Sequence, residues 1–342
     1  MKSINQRKLD HVNIVSEGGE VDRRKTYFDR IHLTHRALPE LNLSEVDPST
    51  KFMGKDFSFP LLISSMTGGA DDEFVKINQN LAKAAEAEGV GLAVGSQRIF
   101  LSDEAARASF ELRQHAPTAL LLGNLGAVQL NYDMGFADCE AVMKVLDADG
   151  LCLHLNPLQE AVQPEGDTDF SSLRNKIAVI VQTLKKPVVI KEVGAGISPE
   201  DVEHLLAAGI KYVDVSGCGG TSWSMVESKR DDAPELGELF SDWGIPTPFA
   251  LRQMKPYRHE VQLIASGGIR NGVDMAKSMI LGASLCGIAR PFLNPARESV
   301  DAVREVIRRL KREFTIAMFL MGAAEVDDIK GNEGLILDEY WH

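Results

Sequence analysis

The chain has 342 residues, of which 44% are hydrophobic and 25% are charged. These proportions are ordinary for a globular protein and exclude wholesale disorder. The formal net charge of −12 disfavours general nucleic-acid binding, because a negative surface repels the phosphate backbone. That charge still permits a local basic pocket for a small anionic ligand.

The cysteine pattern and the lack of long apolar runs predict a cytoplasmic protein. Cys139, Cys152, Cys218 and Cys286 form no CxxC pair, which argues against a structural zinc site and fits a reducing compartment. The N-terminus has no apolar segment of the kind found in a secretory signal. No run of about 18 apolar residues occurs, so no membrane span is predicted.

From residue 60 onward, short apolar runs alternate with amphipathic stretches of roughly 10–15 residues, which predicts repeated βα units. The predicted strands are Leu61–Met66, Gly91–Ser96, Ala119–Asn124, Gly150–Asn156, Pro187–Val193, Tyr212–Ser216, Val261–Ser266 and Leu285–Ala289. The predicted helices are Asp72–Glu88, Asp103–His115, Phe136–Ala148, Ser171–Lys185, Pro199–Ala208, Pro248–Tyr257, Gly272–Leu281 and Glu298–Met321. Eight units favour a (β/α)8 barrel over a doubly wound open sheet, and no GxGxxG follows the first strand.

Local signals mark several helix ends. Ser102 and Ser198 are predicted N-caps, and Gly89 and Gly209 are predicted to end helices in the left-handed conformation.

We expect one domain over residues 1–342, with the barrel over 60–322. The N-terminal extension 1–59 is polar and basic, and its residues 51–59 predict a small hairpin at the barrel base. A long loop, 217–246, follows strand six. The tail 323–342 carries enough apolar residues to dock on the barrel or on a neighbouring molecule.

The active site of such a barrel lies at the carboxyl ends of the strands. All eight predicted strands end in polar residues or glycine. One such end would be explained by exposure to solvent, but eight together favour a functional site. Gly267 and Gly268 follow strand seven, where backbone N–H groups can approach a phosphate.

Lys191 is predicted to point from a buried strand into the barrel mouth, where an ammonium is costly unless it meets an anion. It could form a Schiff base, stabilise an electron-rich cofactor such as a reduced flavin, or form a structural ion pair with a carboxylate.

Glu160 follows strand four, in what we interpret as a Pro-bounded loop rather than a helix. One carboxylate together with substrate phosphates is a usual way to hold Mg²⁺, and a solvated loop acid is the alternative. His154 could equally be a core histidine. Arg98 could meet an anion together with Arg7 and Lys8, although spacing alone favours a solvated tail for those two residues.

Motifs along most of the chain resemble those of type 2 isopentenyl diphosphate isomerases. In order, they are RKLDH (7–11), MTGG (66–69), GSQR (95–98), GNLG (123–126), HLNPLQE (154–160), KEVG (191–194), SGCGGTSW (216–223) and SGGIRNG (266–272). HLNPLQE and GGTSW are the more specific motifs, whereas many flavin barrels share GNLG and SGGIR.

The resemblance implies an FMN-dependent barrel that interconverts isopentenyl and dimethylallyl diphosphate. It implies Mg²⁺ and reduced flavin, usually reduced by NADPH, with no net redox change, and a homo-oligomer (tetramer or octamer). FMN would contact Met66, Thr67, Ser96, Asn124, Lys191, Ser216, Thr221, Gly267, Gly268, Ala289 and Arg290. Substrate would contact Arg7, Lys8, Ser96, Gln97, Arg98, His154, Asn156 and Gln159. Glu160 would bind Mg²⁺, and the catalytic residues would be Lys191, Gln159, His154 and Asn156.

The resemblance also reverses the interpretation of Arg7 and Lys8, which would lie in a lid over the substrate. The main rival is a flavin-dependent 2-hydroxy acid oxidase, which needs a basic His in an HGxR pattern after strand six. Cys218 stands in that place here. A flavin-binding sensor is the non-catalytic alternative, but a sensor needs no diphosphate clamp such as Glu160 with Arg7 and Lys8.

Overall fold

The protein is described by a computed structural model over residues 4–17, 19–230 and 234–337. The strands of these residues are β1 (Thr50–Phe52), β2 (Lys55–Phe57), β3 (Leu61–Ile63), β4 (Gly91–Ala93), β5 (Leu121–Gly126), β6 (Gly150–Leu155), β7 (Val188–Glu192), β8 (Tyr212–Asp214), β9 (Gln262–Ser266) and β10 (Ala283–Ile288). Strands β3 to β10 are parallel and form a closed barrel in chain order, with β10 paired to β3. The (β/α)8 prediction is confirmed, and the open-sheet alternative is wrong.

Of the helices in the described residues, one precedes the first strand, three follow the last strand, and the others lie between successive barrel strands. They are α1 (Ile4–Glu17), α2 (Asp72–Glu88), α3 (Arg98–Ser102), α4 (Phe136–Leu146), α5 (Pro157–Val162), α6 (Leu173–Thr183), α7 (Pro199–Ala207), α8 (Trp223–Ser228), α9 (Glu235–Leu239), α10 (Thr247–Gln253), α11 (Gly272–Ile280), α12 (Leu293–Glu298), α13 (Val300–Met321) and α14 (Val326–Ile329). Their apolar faces pack on the outer faces of the strands, and this layer forms the larger core.

The capping predictions for α7 and α2 are confirmed. Ser198 caps α7 by accepting a hydrogen bond from the Asp201 N–H, and Gly89 ends α2 at a φ of 65°. Gly209, just after α7, has a φ of 90°.

The helix predicted over 103–115 is wrong. This stretch forms two 3-10 turns, and the α-helix of its unit, α3, begins earlier, at Arg98. The Asp103 carboxylate accepts a hydrogen bond from the Ala105 N–H and so begins a separate turn. Ser102 is therefore the last residue of α3 and not an N-cap.

The predicted loops also contain short helices. Glu160 lies on α5 and not in a loop, because Pro157 at the first helical turn has the φ that a helix requires. The 217–246 segment contains α8 and α9. The long final helix begins at Val300, where the Ser299 side chain accepts a hydrogen bond from Ala302 N.

The predicted hairpin at the barrel base is present. Strands β1 and β2 pair antiparallel, and the buried rings of Phe52 and Phe57 pack against side chains from inside the barrel. Those partners are Leu62, Ala93, Leu120, Leu122, Cys152, Val189, Ile264 and Leu285, with Tyr212 partly buried beside them. The hairpin therefore covers one end of the barrel and leaves the other end for ligands.

The first part of the predicted tail docks on its own chain, against both the barrel and the N-terminal extension. Gly331 N donates to Met279 O on α11 at 2.9 Å, Thr34 N donates to Leu335 O at 2.8 Å, and Leu337 N donates to His32 O at 2.9 Å. Ile336 is buried. Tyr340 and Trp341 lie outside the described residues. Among those that are described, no helix has the length and apolar character to cross a membrane.

Candidate active site

A cavity of about 280 Å³ lies at the carboxyl ends of the barrel strands. Residues that end or follow each strand line it, together with residues from α1. Every site residue predicted from the sequence lines this cavity, except Gln97. The fold therefore brings together side chains that lie up to about 280 positions apart in the chain, as expected for a site built from strand ends.

Gln97 lies behind the cavity wall, so the structure does not support a substrate contact by its side chain. Its side chain is fully buried. Its Nε2 donates to Val142 O at 2.9 Å, and its Oε1 accepts from Asn124 N at 3.0 Å. Because both ends of the amide are already bonded, Gln97 supports the loop that carries Ser96 and Arg98.

Three titratable side chains occupy paired positions on adjacent strands. His154 on β6 is in register with Lys191 on β7, which is in register with Asp214 on β8. Lys191 Nζ lies 3.2 Å from Asp214 Oδ2 and 3.4 Å from Ser216 Oγ. Of the three roles left open for Lys191, the ion pair with a carboxylate is present, and Lys191 also lines the cavity.

His154 is uncharged near neutral pH. Burial, and secondarily the charges of Lys191 and Lys8, lower its pKa to about 3. Its Nδ1 lies 2.7 Å from Asn124 Oδ1, which fixes the ring in the cavity wall. The histidine can therefore serve as a hydrogen-bonding group, but it is not a standing cation.

The basic residues at the mouth differ in how they are paired. Arg98 Nη1 lies 2.8 Å from Asp167 Oδ2, and Arg7 Nη1 lies 3.8 Å from Glu165 Oε1. Lys8 Nζ donates to the Ser96 carbonyl oxygen at 2.7 Å. Within the described residues, no carboxylate forms an ion pair with Lys8. Burial, with the charge of Arg7, lowers the pKa of this ammonium to about 7.

Glu160 is held by its neighbours on α5 and in the loop that follows. Its Oε1 accepts from Asn156 Nδ2 at 2.8 Å, and its Oε2 accepts from Gln163 Nε2 at 3.1 Å and Asp167 N at 2.8 Å. Burial raises the pKa of the carboxyl, although the hydrogen bonds from Asp167 N and Asn156 oppose that shift. Over the ranges described, no cluster of three or more His, Cys, Asp or Glu residues could hold a metal ion.

A buried network of polar and charged side chains beside the cavity, centred on Glu227, was not predicted from the sequence. Glu227 on α8 is fully buried, and Gln159 Nε2 donates to its Oε1 at 2.8 Å. Arg230 pairs with its Oε2, and His11 Nε2 lies 3.0 Å from its Oε1. Burial raises the pKa of Glu227, but His11, Gln159 and Arg230 outweigh that effect and lower it to about 2. The ring of His11 also packs edge-on against Trp223 at 5.2 Å.

Glu227 was not predicted as a site residue because α8, on which it lies, falls inside the predicted loop 217–246. His11 and Trp223 stand within the quoted motifs RKLDH and SGCGGTSW, but spacing gave no reason to bring the two motifs together.

The glycines after β9 form a close backbone corner. Gly267 and Gly268 have φ values of 97° and 81°. A Cβ on Gly267 would lie 2.0 Å from the Gly217 carbonyl oxygen, so no side chain fits there. Two cavity-lining arginines, Arg270 and Arg290, flank this corner and each lie 2.6 Å from Asp22 Oδ2.

The closed barrel, the cavity at the carboxyl ends of its strands and the glycine corner after β9 place the chain among the (β/α)8 barrels that bind ligands at that end. The sequence profile of the FMN-dependent dehydrogenase family matches residues 2–123 and 128–335. Isopentenyl-diphosphate delta-isomerase of Paracoccus zeaxanthinifaciens is 54% identical over 338 residues, 96% of each chain. The enzyme of the same name from Methanothermobacter thermautotrophicus is 41% identical, over 97% of this chain and 93% of its own. The chain therefore belongs to the isopentenyl-diphosphate delta-isomerases within the FMN-dependent dehydrogenase family.

Solved structures with lower identity share the fold. The flavin-binding domain of baker's yeast flavocytochrome b2 superposes with a TM-score of 0.71 at 18% identity, covering 98% of this chain and 83% of that one. A variant of mandelate oxidase gives a TM-score of 0.63 at 16% identity, covering 94% and 92%. At these identities the likeness concerns the barrel alone.

Proposed function

We propose that the protein interconverts isopentenyl diphosphate and dimethylallyl diphosphate. One proton is added to the hydrocarbon end, another is removed from it, and there is no net redox change. The names of relatives up to 54% identical support this activity. The observation in the structure that carries the proposal is Lys8, a cavity-lining ammonium whose partner is a main-chain carbonyl and not a carboxylate.

Lys8, with Arg7 and Arg98, would bind the diphosphate. The Lys8 side chain is half-buried, and an ammonium whose pKa is lowered by desolvation gains most when an anion arrives, because the anion restores the interactions that desolvation removed. The hydrocarbon end of the substrate offers no polar group, so most of the binding energy must come from the diphosphate. On this basis α1 acts as a lid that carries two of the three cations.

The residues at the glycine corner fit the phosphate of FMN. Gly267 and Gly268 adopt positive φ values and pack against the main chain of Gly217 and Gly219, where a Cβ would collide. Both glycines line the cavity, as does Arg290. When bound and reduced, with NADPH as the reductant, FMN would supply an electron-rich ring next to the positive charge that develops on the substrate. The residues that would hold it are Met66, Thr67, Ser96, Asn124, Lys191, Ser216, Thr221, Gly267, Gly268, Ala289 and Arg290.

Lys191 would present its charge to the cofactor from a fixed position. Asp214 holds the ammonium from the side, and Asp214 Oδ1 is itself held by Ser266 Oγ at 2.6 Å and Ser216 N at 3.1 Å. A charge that is oriented in advance stabilises a reacting system without reorganisation during the reaction.

Glu160 would hold Mg²⁺ together with the diphosphate. Three N–H donors already orient its two oxygens, and a carboxylate has about four lone-pair sites, so one direction is left for a metal. Because the described residues offer no group of three or more His, Cys, Asp or Glu for a protein-only site, the other ligands would be substrate oxygens and water, as is usual for Mg²⁺.

His154, Asn156 and Gln159 would contact the substrate as neutral groups. Gln159 is oriented at both ends of its amide: Nε2 donates to Glu227 Oε1, and Oε1 accepts from Asn156 Nδ2 at 3.2 Å. One lone pair of that oxygen is left to accept a hydrogen bond from a ligand. We also infer a cytoplasmic homo-oligomer, tetramer or octamer. The exposed apolar side chains of Leu239 and Trp243 are compatible with an interface between subunits.

The hydroxy acid oxidase alternative lacks its histidine after β8. Cys218 stands where that alternative requires its histidine. Its Sγ lies 3.8 Å from the Asp242 carbonyl oxygen, and Cys218 is not among the cavity-lining residues described. Burial raises the pKa of this thiol, so it offers no thiolate in place of the missing base.

The test is isotope incorporation under anaerobic conditions. The FMN-loaded protein is reduced once in heavy water and given isopentenyl diphosphate with Mg²⁺. We expect deuterated dimethylallyl diphosphate over many turnovers without stoichiometric consumption of NADPH, and almost no product from the oxidised protein. One reductant consumed per product, or activity with lactate or glycolate, would overturn the proposal.

A further inference from the structure

A buried arginine outside the cavity, Arg23, joins three loops at its rim. Its side chain is 4% exposed. Nε donates to Ser241 O at 2.7 Å, and Nη2 donates to Trp243 O at 3.2 Å. Nη1 donates to Gly194 O at 3.0 Å and to Thr221 O at 3.4 Å. One guanidinium thus holds four main-chain carbonyls from three separate segments.

The charge of Arg23 is balanced mainly by these carbonyl dipoles. Among the described residues, the carboxylate that pairs with Arg23 is that of Asp242, at 4.0 Å, and its side chain is 84% exposed. Because the Asp242 carboxylate is solvated and lies at the limit of ion-pair distance, this contact contributes little. A buried cation that relies on main-chain oxygens holds its place only while all of the contributing loops keep theirs, so Arg23 and the loops fix one another.

Two of these loops form part of the cavity wall. Gly194 follows β7, three residues after Lys191, and Thr221 follows β8; both line the cavity. A Cβ on Gly194 would lie 3.9 Å from Arg23 Nη1, so the guanidinium lies directly behind the wall. Arg23 does not itself line the cavity.

The third segment, 241–245, forms main-chain hydrogen bonds with the loops after β7 and β8. Ile245 N donates to Ala195 O, and Cys218 N donates to Ile245 O, both at 2.8 Å. The main chain of Arg23 is bound there as well, because its N–H donates to Gly220 O at 3.0 Å. Arg23 therefore lies where the N-terminal extension and the loops after β7 and β8 meet.

We propose that Arg23 is a positioning residue that sets the cavity wall at Gly194 and Thr221. It acts through the four carbonyls it holds and touches neither cofactor nor substrate. The role requires an arginine, since a lysine has three donors on a single atom and cannot span acceptors that surround a planar fork. The proposal rests on the proposed function, because its consequence is the geometry of the wall beside the flavin.

The experiment compares Arg23→Lys and Arg23→Met with Arg24→Lys and Arg24→Met, which change the exposed neighbouring arginine. All are assayed as FMN-saturated, Mg²⁺-loaded holoenzyme. We expect kcat of the Arg23 variants to fall at least about tenfold. The loss of one hydrogen bond to a charged group corresponds to a factor of about that size. The KM for isopentenyl diphosphate should change little, because the cations at the mouth are untouched. The visible circular dichroism of bound FMN should change as well, and the Arg24 variants should match the wild type.

A purely structural role would lower the melting temperature of the Arg23 variants but leave kcat per bound FMN and the dichroism unchanged. That result overturns the proposal. If Arg23→Met does not fold, Arg23→Lys alone decides between these outcomes.

Failure of the proposed function would appear first in the wild type, as no isomerisation. Hydrogen exchange of the flavin-free proteins then decides the positioning role separately. Faster exchange at 194–196 and 218–222 in Arg23→Lys, but not in Arg24→Lys, supports it; unchanged exchange overturns it.

Discussion

Substrate affinity should fall as the pH rises above 7, because Lys8 loses its proton there in the free enzyme. Its pKa of about 7 follows from burial and from the neighbouring Arg7. Only the ammonium form attracts a diphosphate, so bound substrate keeps the proton on and binding is linked to protonation. The sign is therefore fixed: raising the pH weakens binding, and lowering it through 7 restores the full affinity.

The magnitude follows from the titration of one group. If the bound ammonium keeps its proton up to pH 9, the dissociation constant should rise about fivefold from pH 7 to pH 8 and about fiftyfold from pH 7 to pH 9. Isothermal calorimetry with isopentenyl diphosphate and Mg²⁺ on the oxidised holoenzyme measures this without turnover.

The matched control is Lys8→Arg, because a guanidinium stays charged over the whole range. Any effect of the substrate's or the metal's own ionisation appears equally in both proteins, so the difference between the two profiles belongs to residue 8. Lys8→Met should bind weakly at all values of pH. An identical slope in the wild type and in Lys8→Arg would refute the reasoning.

Three further results are expected. Glu160→Gln should raise the Mg²⁺ concentration for half-maximal activity by at least about tenfold while the FMN absorbance is retained; loss of FMN instead would contradict the assignment of Glu160 to the metal. Cofactor released by heat should chromatograph as FMN, and a protein that neither carries nor binds FMN would contradict the cofactor assignment. Phe57→Ala should lower the free energy of unfolding by about 3–5 kcal/mol in urea, with kcat per folded molecule unchanged, because the hairpin lies at the opposite end of the barrel from the site; a larger loss of kcat than of stability would contradict that separation.

The barrel could be predicted from the sequence because its signal is repeated. Each βα unit combines a buried strand with an amphipathic helix, and caps such as Ser198 and Gly89 act through local geometry alone. The error over 103–115 also has a local cause. That segment has helical composition, but the Asp103 side chain bonds to the Ala105 N–H and begins a short turn instead. Intrinsic helix propensity is a weak preference that such contacts override.

The cavity residues could be predicted largely because strand ends of a barrel converge, and because the motifs resemble those of a known family. What the sequence does not contain is the pairing of side chains between distant segments. Glu227 would be interpreted as a solvated acid in a loop, yet it is buried beneath Gln159 and His11. Gln97 was assigned to substrate by its place in a motif, although the fold turns its amide toward Val142. Only tertiary contacts decide such cases.

The arrangement of charge in the cavity gives a reason why this barrel would move protons and not hydride. Lys8, which no carboxylate among the described residues pairs with, lies on α1 at the mouth, whereas the cation on the strands, Lys191, forms an ion pair with Asp214. His154 beside Lys191 is uncharged. A diphosphate would be drawn to the mouth, which leaves the hydrocarbon end toward the strands, where the cation Lys191 is compensated by Asp214 and opposes a developing positive charge less. Hydride removal from a hydroxy acid would instead need a base after β8, and Cys218 lies behind the wall at that place.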